Sequence, residues 1–299
     1  MQKAPPTPKG FRDIPPDLAK KRQEVIGKIV AVLEEFGFVP IETPTIEFAS
    51  TLKGKYGEEE KLIYEFKDRG GRDLALRYDL TVPLARYVAT YNPKLPFRRY
   101  QIGQVFRGEN PQHGRWREFT QLDFDTVGSS DLEEDAKIIA AALKAVKEVG
   151  LKNPQMIIND RKNFAGLQKE VIIALDKLEK IGEEAVISEL IQKGLSKIDA
   201  STILQSMRNK SPTDNLKSIF KYLQNLGINQ DEYEFNPLLA RGLDYYTGAI
   251  FELKPTASPQ DLSIGSGGRY DNLIGSFSKK DIPAVGFSFG IDRLIEVRQ

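Results

Sequence analysis

Apolar residues recur at helical spacing near the start of the chain. Leu18, Ile26, Ile29, Val30 and Leu33 predict a helix over residues 17–36. Pro15, Pro16 and Asp17 supply its start signal and Gly37 its stop. Residues 38–46 (FVPIETPTI) set two prolines among β-branched residues, which predicts an edge strand or an extended interface segment. A short helix is expected over 81–90. The period then changes to two. FRRYQIGQVFRG (97–108) and WREFTQLDFDTVG (116–128) read as the strands of a hairpin joined by the polar loop ENPQHGR (109–115). A second long helix is expected over 131–149. Ser130 and Glu133 are its expected capping box, Ile139, Leu143 and Val146 its core face, and Gly150 its end.

Beyond residue 160 the pattern shifts again. Lys and Glu alternate with Leu and Ile at helical spacing, and glycines and polar turns separate short segments. This predicts a small all-helical insertion. After Asn236 strand signals return in LLARGLDYYTGAIFEL, the glycine-rich IGSGGRYD, and GFSFGIDRLIEV. The expected division is therefore 1–160 and 236–299 as two parts of one core, with 161–235 inserted between them. No internal repeat or low-complexity tract is present.

Composition narrows the chemistry. The 40% hydrophobic and 28% charged residues are ordinary for a globular protein able to bury a large core. A formal net charge of +1, from 43 basic and 42 acidic residues, gives no whole-molecule field for gripping nucleic acid, so any RNA contact must come from a local patch. The absence of cysteine removes disulfides, thiolate nucleophiles and Cys-ligated zinc. With one histidine, His113, a His-based metal cluster is excluded and no metal-ligating set is expected. No apolar run is long enough to span a bilayer. The proline-rich N-terminus does not resemble a signal peptide, so a soluble cytoplasmic protein without membrane contact is the expectation.

Side chains on a strand alternate between faces. Arg117, Phe119, Gln121, Asp123 and Asp125 therefore share one face of the second hairpin strand, with Leu122 and Phe124 on the other. Two aspartates beside a glutamine and an arginine fit either a solvated sheet face or a polar floor beneath a ligand, with Arg107 arriving from the partner strand. Arg293 is expected in the first turn of a helix. A cation there opposes the helix dipole, unless it faces a bound anion. Arg241, Asp244, Tyr245, Tyr246 and Thr247 lie close together in LARGLDYYTG, as an edge strand with aromatic packing or as part of a site. SGGRYD, taken alone, reads as a glycine turn. It fits neither a Walker loop nor a dinucleotide fingerprint.

Taken together the segments are more specific. FRGENPQHGRWREFTQLDFD resembles motif 2 of class II aminoacyl-tRNA synthetases, GFSFGIDRL resembles motif 3, and FGFVPIETPTIE, centred on Pro44, resembles motif 1. LARGLDYYTGAIFE and SGGRYD resemble the two signature peptides of the histidyl-tRNA synthetases, and ALRYDLTVPLARY resembles their amino-acid-binding segment. The resemblance runs from about Lys9 to the C-terminus. It implies an α+β fold with an antiparallel sheet flanked by helices and a small all-helical insertion. It also implies a catalytic core that stops short of the anticodon-binding domain, hence amino-acid activation with poorly selective aminoacylation.

The family's first reaction is attack of the histidine carboxylate on the ATP α-phosphate, expelling pyrophosphate. It needs charge neutralisation and alignment rather than a protein nucleophile. By resemblance, Arg107 contacts the α-phosphate, Arg293 the γ-phosphate, and Arg241 the α-phosphate and the histidine carboxylate. Glu109 orients the adenine, Arg115 touches the triphosphate, and Mg²⁺ bridges the outer phosphates. The imidazole falls to Asp125, Tyr246 and Tyr270, with Tyr245 also in the histidine site. The α-amino group falls to Asp79, Thr81 and Gln121. Gln112 and Arg117 of the motif 2 loop are the expected readers of the tRNA(His) acceptor stem, with His113 beside them. Motif 1 implies a homodimer. The alternative is a synthetase-like regulatory subunit of ATP phosphoribosyltransferase that binds histidine as a feedback sensor. A synthetase-like RNA-binding module is a third reading.

Overall fold

The computed structural model describes residues 5–111, 114–240, 245–255, 263–278 and 280–297. In chain order its first strands are β1 (Val39–Pro40), β2 (Ile46–Phe48), β3 (Glu65–Lys67), β4 (Asp73–Leu76), β5 (Phe97–Phe106) and β6 (Glu118–Val127). They are followed by β7 (Pro154–Asp160), β8 (Tyr233–Phe235), β9 (Ala249–Pro255), β10 (Gly265–Arg269) and β11 (Ala284–Gly290). The helices are α1 (Pro16–Glu35), α2 (Ala49–Leu52), α3 (Thr81–Tyr91), α4 (Leu132–Glu148) and α5 (Lys169–Asp176). After them come α6 (Leu178–Ile181), α7 (Glu183–Gln192), α8 (Lys197–Arg208), α9 (Asp214–Asn225) and α10 (Ile291–Val297).

Among the described residues, eight strands form one sheet in the order β1-β5-β6-β11-β10-β9-β7-β8, and β2-β4-β3 form a second. The six central strands run antiparallel. Only the edge pairs β1–β5 and β7–β8 are parallel. The expected hairpin is present, and the proline-containing 38–46 segment supplies the two-residue edge strand β1, where a missing N–H costs little.

The large sheet has a dry face and a wet one. Leu122, Phe124, Phe251, Phe287 and Phe289 pack on the dry face with residues of α1, α4, α9 and α10 in one continuous core. Phe124 centres it, with ring centroids 5.8 Å from both Phe287 and Phe289. The expected periodic residues behave accordingly. Ile29 and Leu33 of α1 and Ile139, Leu143 and Val146 of α4 are buried, and Leu18, Ile26 and Val30 pack at the margin. The α4 start differs from expectation. Its N-cap is Asp131, whose carboxylate accepts from the Glu133 N–H, so the Ser130–Glu133 capping box does not form. An aspartate one residue later satisfies the same orphan donors.

On the wet face a second core gathers α2, α3 and α5, α7 and α8 over Ile157, Ile250, Tyr270 and Ala284. Within 161–235 the elements divide between the two cores. α5, α7 and α8 join the second, α9 sends Leu216, Ile219 and Leu223 into the first, and β8 completes the main sheet.

The SGGRYD glycines do not form a turn. Gly265, Gly267 and Gly268 sit in β10, between β9 and β11. A Cβ at 267 would lie 2.1 Å from the Gly286 carbonyl oxygen, and one at 268 would lie 2.7 Å from the Tyr246 ring. Glycine is needed here for close approach in a strand, not for a reversal of the chain.

Candidate active site

Both ends of the wet face open on one cavity of about 910 Å³. Its floor follows from sheet register. Asp125, Gly286, Gly268 and Ile250 stand side by side across β6, β11, β10 and β9. Two residues along, Asp123, Ser288, Ser266 and Glu252 form a second row on the same face. Glycine in the first row makes room for large groups. A Cβ at 286 would sit 1.8 Å from an Asp125 carboxylate oxygen. Of the two readings of the β6 polar face, the floor of a cavity is the one the fold realises: Phe119, Gln121, Asp123 and Asp125 all line it.

One end is acidic and aromatic. Asp125 is ion-paired at 2.7 Å with Arg99, itself fully buried, and accepts from the Tyr270 hydroxyl. Burial pushes the Asp125 carboxyl up from its ordinary range, against Arg99 and Tyr270, which favour its charged form. One oxygen accepts from Tyr270, and the other makes the Arg99 ion pair without a hydrogen bond of its own. Tyr245 packs between Tyr246, at 4.9 Å, and Tyr270, at 5.9 Å and edge-on, to make an aromatic wall. Asp79 precedes α3. One of its oxygens accepts from the Tyr56 hydroxyl at 2.9 Å and the Val82 N–H at 3.0 Å. Its other oxygen, the Gln121 side-chain oxygen and one Asp123 oxygen are buried without a protein partner. Thr81 lines the same space. With the Ser288 hydroxyl, also unbonded, these acceptors on one cavity suit a ligand carrying several N–H donors, as an ammonium does.

The other end is basic. Arg107 is sandwiched between the faces of Tyr78, at 4.4 Å, and Phe119, at 5.1 Å, and its Nε donates to the Tyr78 carbonyl at 3.2 Å. Arg293, in the first turn of α10, donates to the carbonyls of Gly114 and Ser263. Burial lowers its pKa, and the like charges of Arg115 and Arg107 lower it further. Arg115 is 3.5 Å from Glu109. Three guanidiniums and Glu109 thus border one void, an arrangement that is costly unless an anion enters it.

Other expected residues lie elsewhere. Arg117 does not line the cavity. It precedes β6, and its guanidinium donates to the backbone carbonyls of Glu109 and Lys9, fastening the hairpin loop to the N-terminal segment. Arg241, Gln112 and His113 lie outside the described residues. Sequence reasoning passed over Arg99, Tyr56, Tyr78, Trp116 and Asp292. Asp292 lines the cavity, receives Arg12 and Arg22, and accepts from the Thr120 N–H at 3.0 Å. Its arginine partners are 270 and 280 residues away, so no local pattern marks it. Asp123 was noticed on the polar face without being given a role.

No three carboxylate, histidine or cysteine side chains converge as a metal cage among the described residues. Glu109 and Glu252 do line the cavity, and Mg²⁺ needs only one or two carboxylates when substrate phosphates supply the remaining oxygens.

An antiparallel sheet with helices on one face, and a cavity of arginines, carboxylates and tyrosines on the other, has the class II aminoacyl-tRNA synthetase architecture. The family model described as histidyl-tRNA synthetase matches residues 10–294. The chain belongs to the histidyl-tRNA synthetase family. The histidine–tRNA ligase of Aeropyrum pernix is 41% identical, over 98% of this chain and 74% of its own length. The crystal structure of histidyl-tRNA synthetase from Nostoc sp. PCC 7120 superposes with a TM-score of 0.83 at 30% identity, covering 97% of this chain and 74% of that one. A structure from Bacillus halodurans C, titled ATP phosphoribosyltransferase regulatory subunit/histidyl-tRNA synthetase, shares the fold. Its TM-score is 0.81 at 24% identity, over 100% of this chain and 84% of that one.

Proposed function

We propose that this chain activates histidine with ATP to histidyl-adenylate and transfers it to tRNA(His). The observation that carries the reading is the two-ended cavity. Arg107, Arg115 and Arg293 border one end, and Asp79, Thr81, Gln121, Asp125, Tyr245, Tyr246 and Tyr270 the other. A nucleotide triphosphate and an amino acid bound end to end would place the α-phosphate and the carboxylate between them.

Arg107, held rigidly by two rings, stabilises the charge that develops on the α-phosphate. Arg293 and Arg115 hold the outer phosphates, and Glu109 orients the adenine. Arg241 is assigned by resemblance to the α-phosphate and the histidine carboxylate. Mg²⁺ bound with the nucleotide would neutralise the outer phosphates, with Glu252 as the cavity carboxylate suited to hold it. Acceptor-stem contact falls to the hairpin loop with Gln112, and Arg117 holds the root of that loop. The core is taken as 1–160 with 236–299, and 161–235 as the insertion, which returns α9 to the first core and β8 to the main sheet.

A homodimer and a cytoplasmic location complete the reading. Val39 of β1, Ile46 and Phe48 of β2 and Ile102 of β5 are exposed apolar residues that a second copy would cover. A monomer by light scattering would remove the dimer. No helix among the described residues is long and apolar enough to cross a membrane.

The test is ATP–pyrophosphate exchange across several amino acids. Exchange with histidine alone is expected. No exchange, together with tight histidine binding, is the outcome a feedback sensor would give. Against the sensor stands the retention of Arg107, Glu109 and Arg293 around one void, since a sensor has no need to handle triphosphate.

A further inference from the structure

Asp123 is the one carboxylate of the cavity floor that the reading above leaves without work. It is 2% exposed, and one of its oxygens has no protein partner among the described residues. The nearby guanidiniums are committed elsewhere. Arg99 pairs with Asp125 and reaches only the Asp123 backbone carbonyl, at 3.5 Å. Arg77 donates to the carbonyls of Gln104, at 2.6 Å, and Thr43, at 2.9 Å. The charges of Arg99 and Arg77 act on Asp123 without a side-chain ion pair to it, and a buried carboxylate left with an oxygen unbonded is expensive.

We propose that Asp123 is a specificity-determining residue whose carboxylate receives the ammonium group of the amino-acid substrate, sharing it with Asp79 and Gln121. The inference rests on the amino-acid activation reading and adds to it the group that makes a charged amine obligatory. Register supports the placement. Asp123 shares a face with Gln121 and Asp125, each about 7 Å away along the strand, a spacing that admits a small cation between neighbouring side chains. The Asp79 carboxylate is close enough for its charge to act on Asp123. An ammonium has three donors, and Asp79, Gln121 and Asp123 each offer it one oxygen without a hydrogen bond, beside the Ser288 hydroxyl and the Asp125 oxygen ion-paired to Arg99. Burial pushes the Asp123 carboxyl up to about 7, Arg99 opposes that, and Asp125 adds to it, so an arriving cation converts the group to its charged form.

The test compares wild type with Asp123→Asn and Asp123→Ser by titration calorimetry, using three ligands. L-Histidine has the amine, the ring and the carboxylate. L-Histidinol keeps the amine and lacks the carboxylate. Imidazolepropionate keeps the carboxylate and lacks the amine. Both variants are expected to lose histidine and histidinol affinity by on the order of tenfold to a hundredfold, as loss of a buried charge partner does. Binding of imidazolepropionate and the KM for ATP should stay within about twofold. Equal weakening of all three ligands would reduce Asp123 to a structural role and overturn the proposal, as would unchanged histidine binding. Melting curves identify a variant that has unfolded, and the second substitution then carries the comparison. Failure of wild type to bind histidine or to exchange pyrophosphate would instead remove the underlying reading.

Discussion

The two ends of the cavity are built by different means. At the acidic and aromatic end, proposed to take the amino acid, the geometry rests on strand register. Asp125, Gly286 and Gly268 stand in one cross-strand row, and Asp125 is locked by Arg99 and Tyr270. At the basic end, proposed to take the nucleotide, the geometry rests on side chains held by rings and backbone carbonyls. Arg107 is set by Tyr78 and Phe119, and Arg293 by Gly114 and Ser263. A register-built site discriminates between close analogues, because its groups cannot move to satisfy a wrong ligand. A site of guanidiniums on backbone anchors binds charge with more geometric latitude.

The largest expected effect breaks the nucleotide end. Arg107→Ala should lower kcat for pyrophosphate exchange by on the order of a hundredfold or more, as loss of a preorganised charge-stabilising donor does, with little change in KM for histidine. Arg241→Ala should cost a similar factor, and near-normal activity would remove its assigned role. The amino-acid end should answer in the other parameter. Tyr270→Phe removes the donor to Asp125 and should raise KM for histidine by about tenfold while leaving KM for ATP unchanged. A rise in KM for ATP instead would merge two ends that are here kept distinct.

The smallest effect is on stability. The Asp123 carboxyl, lifted to about 7 by burial, binds its proton in the folded chain at pH values where the unfolded chain has lost it. Its contribution is therefore fully present below pH 4 and is lost as pH rises towards 7. Urea unfolding between pH 5 and 8 should show a shallower pH slope in Asp123→Asn than in wild type. Parallel slopes would contradict the raised value.

Legibility followed the same division. Period-two alternation places Gln121, Asp123 and Asp125 on one face, and helical spacing marks α1 and α4, because these signals are local. Alternation overreached at Arg117, which lies before the strand begins and anchors a loop instead. The glycines of β10 read as a turn because the reason for them, crowding by Gly286 and Tyr246, lies in other segments. Ion pairs across the whole chain, such as Arg12 and Arg22 with Asp292, or Arg99 with Asp125, follow from topology and leave no trace in spacing. Motif resemblance therefore marks the arginine end, whereas alternation puts the carboxylates on one face and leaves open whether that face is solvated or a floor.

Trp116 is the only tryptophan of the chain and lines the cavity, with the Arg12 guanidinium 4.3 Å from its ring centre. All indole emission from this protein thus originates at the proposed substrate cavity. A change in fluorescence on adding ATP would report occupancy there without any attached dye, and it could be followed on the millisecond scale in a stopped-flow cell.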